Sequence, residues 1–120
     1  MRYLCLAYGD RSKMQALSRE QLQALAAKRR PYDEELSRTM AVELHEGLSG
    51  DVTTIRPRGG EPSVTDGPFV ATREQVGGVF IIEAADLNDA IRIASLHPAA
   101  HLGEDLGWAV EVRPVEAFTP

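Results

Sequence analysis

Three polar residues in this 120-residue chain are of the types that carry out acid–base or anion-binding chemistry. Asp66 lies in the stretch TDGPF, His97 ends a predicted helix, and Arg113 lies near the end of the chain. A carboxylate in a cleft can act as a general base, an imidazole can exchange a proton near neutral pH, and a guanidinium can clamp a carboxylate. Together they predict a site that binds a small anion and transfers a proton, provided that the fold brings them together.

The segment around Asp66 also fits a turn. An Asp before Gly-Pro accepts backbone N–H bonds, Gly67 supplies unusual backbone angles and Pro68 fixes the exit of the chain. The sequence therefore leaves Asp66 with a structural role alone, or with a structural and a catalytic role together.

His97 and His101 are four residues apart, and Glu104 and Asp105 follow them. A metal site needs such nitrogen and oxygen donors to converge on one point. Pro98 disturbs the helix that would align them and no HExxH signature is present, so the sequence predicts no metal site. His97 either caps the second helix through a favourable charge interaction or serves as an acid/base group in a cleft.

Glu111 and Arg113 share one face of the last predicted strand, because side chains alternate along a strand. Charges on a central sheet are costly unless they are paired or line a polar cavity. The two residues therefore form a structural ion pair or part of an anion site with Arg113 as the clamp. Tyr32 on the first helix is a core residue by default and is the remaining candidate for contact with a substrate.

Charge, cysteine content and missing motifs exclude several classes of function. The formal net charge of −5 argues against nucleic acid as a partner, and no apolar run approaches the ~20 residues of a membrane span. The single cysteine, Cys5, makes no internal disulfide and predicts a cytoplasmic location. No Walker loop, GxGxxG motif or GxSxG elbow is present, so no cofactor is predicted.

The predicted elements that position these residues follow the order strand, long helix, two or three strands, helix, strand. The first strand, at 2–8, is closed by a turn at 9–10. A capped helix at 18–39 follows; its apolar face runs from Leu22 to Met40, and Pro31 interrupts it. The remaining elements are an undecided segment at 41–48, a hairpin of 51–56 and 62–65, a buried strand at 79–82, a helix from 86 to 97 and a strand at 108–115.

This order predicts an α+β fold of the ferredoxin-like, split βαβ type in a single domain of residues 1–120. Helices would cover one face of a mainly antiparallel sheet. The other face would stay bare and apolar, and burying it against a second copy predicts a homodimer.

Three stretches carry a resemblance that covers nearly the whole chain. TDGPF (65–69), TREQVGG followed by an apolar strand (72–82) and EVRPV (111–115) occur in an order and spacing that resemble the DGPF-domain, YCII-related family. The resemblance implies a dimeric α+β barrel built from two ferredoxin-like protomers.

The resemblance also locates a cleft between sheet and helices, where some distant relatives carry a His–Asp pair. In place of that histidine this chain has Arg29 and Arg30, and in place of the Asp-Pro after the second helix it has His97 and Pro98. The dyad therefore does not carry over to this chain.

Two functions of different classes follow. The first is a YCII-like protein that binds a small anionic molecule in the sheet–helix cleft and performs cofactor-independent acid/base chemistry there. The alternative is a non-catalytic regulatory module that contacts a sigma factor, because members of the family are often encoded beside extracytoplasmic-function sigma factors.

Overall fold

The computed structural model describes residues 1–119. The strands are β1 (Arg2–Asp10), β2 (Val42–Gly47), β3 (Thr53–Arg58), β4 (Glu61–Asp66), β5 (Glu74–Glu83) and β6 (Ala109–Pro114). The helices are α1 (Arg11–Gln15), α2 (Arg19–Arg38) and α3 (Leu87–Ala94), and two short 3₁₀ turns lie at Pro98–Ala100 and Glu104–Leu106.

Four strands form an antiparallel sheet in the order β2-β5-β1-β6, which is the ferredoxin-like order and confirms the predicted fold class. β6 lies at an edge, as Pro114 near its end predicts. β3 and β4 pair separately as a hairpin whose tip is Gly59-Gly60. Both of these glycines have positive φ, as such a tight turn requires.

The core lies between the sheet and α3. Its members are buried side chains of one face of β1 and β5 and of the inner side of α3: Tyr3, Cys5, Phe80, Ile82, Ala84, Ala90, Ile93 and Ala94. Burial raises the pKa of the Cys5 thiol to about 11, so this thiol stays protonated and packs as an apolar group.

Helix α2 begins as predicted but does not bury the predicted face. Ser18 and Gln21 form a full capping box. The prediction of a buried apolar face from Leu22 to Met40 was wrong, because Leu36 is the buried residue of the helix while Met40 is fully exposed. The predicted interruption at Pro31 was also wrong: the helix continues through it, and since Ala27 is exposed, water can reach the carbonyl that proline leaves unbonded.

Several element boundaries also differ from the prediction, and β5 begins at Glu74 instead of Val79. β1 continues to Asp10, whose carboxylate accepts the Lys13 N–H and so begins α1 instead of a loop. The undecided segment is strand β2. α3 ends at Ala94, before His97, because a residue that precedes proline is driven to extended angles.

The sheet face opposite α3 carries a band of partly exposed apolar side chains, as predicted. We call this band, which consists of Leu4, Leu6, Leu44, Val79 and Ile81, the bare face. No helix in the described part of the chain is long and apolar enough to cross a membrane.

Candidate ligand-binding cleft

A cleft of about 740 Å³ lies where helices α1 and α2 face the ends of strands β1, β2 and β5. α2 contributes Leu22 and Arg29 to its lining, and the segment after α3 contributes His97. The single tryptophan of the chain, Trp108, lies against the cleft just before β6.

His97 is the most deeply buried polar group of this cleft, with 5% of its surface exposed. Its ring stacks on Phe80 with the ring centroids 5.1 Å apart, and it meets His45 edge-on at 5.5 Å. The backbone N–H of Ala99 donates to its Nδ1 at 3.0 Å. Nδ1 is therefore an acceptor, and in the neutral ring the proton is carried by Nε2.

The environment keeps this imidazole uncharged. Burial, and then the positive charges of His45 and Arg29, lower the pKa of His97 from 6.5 to about 4. The predicted charged cap of the second helix is therefore wrong, because His97 lies beyond α3 and is neutral near pH 7. The accepting nitrogen, Nδ1, is already bonded to the Ala99 N–H, so Nε2–H is the group that is left to donate to a ligand.

Arg29 lies over the ring of Trp108, with the guanidinium carbon 5.2 Å from the ring centroid, a cation–π contact. Its Nε is sealed from solvent and has no hydrogen-bond partner among residues 1–119. The carboxylate of Asp33 is near, but its Oδ2 lies 3.6 Å from Nε, which is too far for a hydrogen bond. The guanidinium is thus held in place by the indole, and because the side chain is 38% exposed its terminal N–H groups stay available to a ligand.

Two glycines determine the position of Trp108. A Cβ at Gly103 would lie 2.3 Å from Cδ2 of the indole, and Gly103 has φ +72°. At Gly9 a Cβ would lie 3.2 Å from Cδ1. The ring therefore packs directly on backbone at one side and carries Arg29 at the other.

The rim of the cleft is positively charged although the chain as a whole is acidic. The Arg11 guanidinium packs on Gly50 and lies where a Cβ of that residue would be. Within residues 1–119 it forms no ion pair. The lining includes two arginines, Arg11 and Arg29, and one acidic residue, Glu46, which pairs with Val79 of the bare face. The Asp33 carboxylate, 3.6 Å from Arg29, offsets part of its charge, and the remaining positive charge favours an anion.

Of the five predicted site residues, His97 alone lines this cleft. Asp66 ends β4 opposite Thr53, and its carboxylate makes no hydrogen bond with a described residue. The turn after it is held by Gly67, which has φ +101° and donates its N–H to the Val52 carbonyl at 2.7 Å.

The other three predicted residues form two separate contacts. Glu111 accepts a hydrogen bond from the Tyr8 hydroxyl at 2.6 Å and forms an ion pair with Arg113 at 3.1 Å. Both contacts lower the pKa of Glu111. Of the two roles that the sequence left open for Glu111 and Arg113, a structural ion pair or an anion site, this contact is the ion pair. Tyr32 stacks on His101 with the ring centroids 4.9 Å apart.

Three lining residues were missed as site candidates. Arg29 and Trp108 meet from distant parts of the sequence, so no local pattern links them; the one signal was the resemblance, which placed Arg29 and His97 at the two dyad positions. His45 lay in the segment whose state was undecided, and pairing with Phe80 across β2 and β5 turns it toward the cleft. No group of three or more potential metal ligands occurs within residues 1–119.

The sheet order, the helices on one face and the cleft between them define a ferredoxin-like α+β protein. The chain belongs to the YCII-related domain family, whose model matches residues 1–119. It is 32% identical over 124 residues to an uncharacterised protein of Rhizobium meliloti (strain 1021), in an alignment that covers 100% of this chain and 96% of that relative. The predicted family membership is thus confirmed.

Proposed function

We propose that this protein binds a small organic anion in the cleft, with Arg29 as the group that holds the negative charge. The observation that carries the proposal is the position of this guanidinium. It rests on Trp108, its side chain is 38% exposed, and it lines the cleft. Its terminal N–H groups can therefore reach a ligand oxygen, and a hydrogen bond to a charged group contributes about 1.5–3 kcal/mol.

The surroundings support an anion of modest size. Arg11 adds a second cation at the rim, and the glycines Gly47, Gly77 and Gly78 remove side chains from one wall. A flat ligand can therefore approach the backbone of β2 and β5.

The acid/base use of His97 is not part of this proposal. A group whose pKa is about 4 and whose Nδ1 is already bonded is a poor proton acceptor near pH 7. Catalysis in the cleft stays a prediction.

Trp108 allows a direct test, because it is the single tryptophan of the chain and touches Arg29. We expect 4-methylpentanoate to change its fluorescence saturably and the uncharged 4-methylpentanamide to have no such effect. Replacing Arg29→Gln removes a charge-assisted bond and lowers the affinity for the acid by about 10-fold or more.

Arg38→Gln is the matched control, since it removes the same charge from an exposed arginine of the same helix that pairs with Glu35, and neither residue lines the cleft. Affinity should stay within about twofold of the wild type, as for a surface charge distant from the site. Equal binding of acid and amide, or an unchanged affinity in Arg29→Gln, would contradict the proposal.

We also propose a homodimer that buries the bare face. Its central side chains are apolar and partly exposed, which is the state of a sheet surface that packs on a partner. The sigma-factor alternative and the cytoplasmic location stay predictions, from the family resemblance and from the single cysteine respectively.

A further inference from the structure

We propose that the ligand is an oxo acid, in which an uncharged carbonyl oxygen lies beside the carboxylate, and that His97 donates a hydrogen bond from Nε2 to that carbonyl. This inference rests on the proposed function, because Arg29 must hold the carboxylate. It adds a second recognition element, a neutral donor, and thereby a chemical class of ligand.

The tautomer of His97 is determined by the backbone. The Ala99 N–H is a donor only, and it points at Nδ1 from 3.0 Å. A neutral ring must then carry its proton on Nε2. This nitrogen makes no hydrogen bond with residues 1–119 but keeps contact with solvent, so its N–H is free for a ligand in the cleft.

The ring is also locked in orientation. Phe80 stacks on one face with only 6° between the planes, and His45 meets it edge-on. A pre-oriented donor loses little freedom when it binds an oxygen, which makes it selective for ligands that have one in the right place.

The Nε2–H donor of His97 belongs to a neutral, buried ring, and this favours a carbonyl oxygen over a second carboxylate as its acceptor. Burial lowers the pKa of His97 to about 4 and so keeps the ring unprotonated near pH 7. A second carboxylate beside this buried ring would be a charge without a counter-charge, whereas a carbonyl oxygen needs only the hydrogen bond that Nε2 offers. Arg29 and His97 line the same cleft, so one small molecule can contact both groups.

An acid that lacks this oxygen would displace water from Nε2 and leave a buried N–H unpaired. Such an unpaired group costs about 1–3 kcal/mol, and a site built around a donor rejects analogues that lack the acceptor. The cleft should therefore discriminate strongly between two acids that differ only in the carbonyl oxygen.

The test compares 4-methyl-2-oxopentanoate with 4-methylpentanoate by isothermal titration calorimetry of the full chain. We expect the wild type to bind the oxo acid at least about 10-fold more tightly. His97→Phe keeps an aromatic ring against Phe80 but removes the donor, so 4-methylpentanoate no longer leaves an N–H unpaired and should bind more tightly than to the wild type. The preference for the oxo acid should shrink to within about twofold.

His101→Phe is the matched control, because it makes the same replacement at a histidine that stacks on Tyr32 outside the cleft lining. It should keep the wild-type preference. Nitrogen-15 NMR of the wild type supplies a readout that needs no variant to fold: the neutral ring of His97 should show its proton on Nε2, and that resonance should move with the oxo acid more than with the plain acid.

The outcomes separate the two proposals. If both acids bind the wild type equally, or if the proton resides on Nδ1, the inference is overturned while anion binding by Arg29 stands. If neither acid binds, the proposed function fails and the inference fails with it.

Discussion

At the scale of single residues, one backbone amide determines what His97 can do. Because Ala99 bonds to Nδ1 and the ring is buried against Phe80, the imidazole is a neutral donor and not the titrating group that its type suggests. The same burial links His97 to the stability of the fold, since protonation of this group is easier in the unfolded chain.

Stability should therefore fall in acid because of His97. Its folded pKa is about 4, below the 6.5 of a free histidine, so the unfolded state binds more protons between these values. The contribution of neutral His97 is fully present above pH 6.5 and is lost as pH falls toward 4. The loss amounts to about 3 kcal/mol at most.

Urea unfolding of the wild type and of His97→Phe at pH 7, 5.5 and 4 measures this effect. The free energy of unfolding of the wild type should decrease more steeply, and His101→Phe should follow the wild type. Parallel curves for the wild type and His97→Phe would show that His97 does not carry the dependence.

At the scale of elements, the second 3₁₀ turn, Glu104–Leu106, and the glycines beside it position Trp108 against the cleft. Gly103 and Gly107 flank it with φ of +72° and +71°, so alanine is strained at both. At Gly103 the added Cβ would also meet the Trp108 ring at 2.3 Å, whereas at Gly107 it would meet the flexible Glu74 side chain at 3.2 Å.

This difference makes Gly107→Ala a control for Gly103→Ala. Both should lower the free energy of unfolding by about 1 kcal/mol through backbone strain. Gly103→Ala should cost at least about 1 kcal/mol more, because the indole must move, and it should shift the Trp108 emission and weaken anion binding. Equal losses of unfolding free energy and an unchanged Trp108 emission in the two variants would show that Gly103 does not determine the position of Trp108.

The elements also show what the sequence could predict. Signals that lie within a few residues, such as the capping box at Ser18 and the Gly59-Gly60 turn, predicted elements that the structure confirms. The apolar spacing on α2 did not predict burial, because Leu22 faces an open cleft instead of the core. The contact of Arg29 with Trp108 joins helix α2 to a distant residue just before β6, and only the folded chain reveals it.

At the scale of the whole molecule, the hairpin of β3 and β4 extends from the main sheet. Ile55 and Val64, which pair across it, are 67% and 65% exposed. A two-stranded hairpin is only marginally stable in water without packing. Both the hairpin and the bare face therefore have apolar surface that a second copy would cover.

Dimerisation through the bare face is tested at Ile81, which lies on β5 between Leu4 of β1 and Leu44 of β2. We expect light scattering to give twice the 13.1 kDa mass of one chain for the wild type at micromolar concentration. Ile81→Glu should give the monomer mass, because it sets a charge without a partner at the centre of the interface. Ile91→Glu, the same change on the 48% exposed side chain of α3, should stay dimeric. A monomeric wild type would refute the dimer, and a dimeric Ile81→Glu would show that another surface forms it.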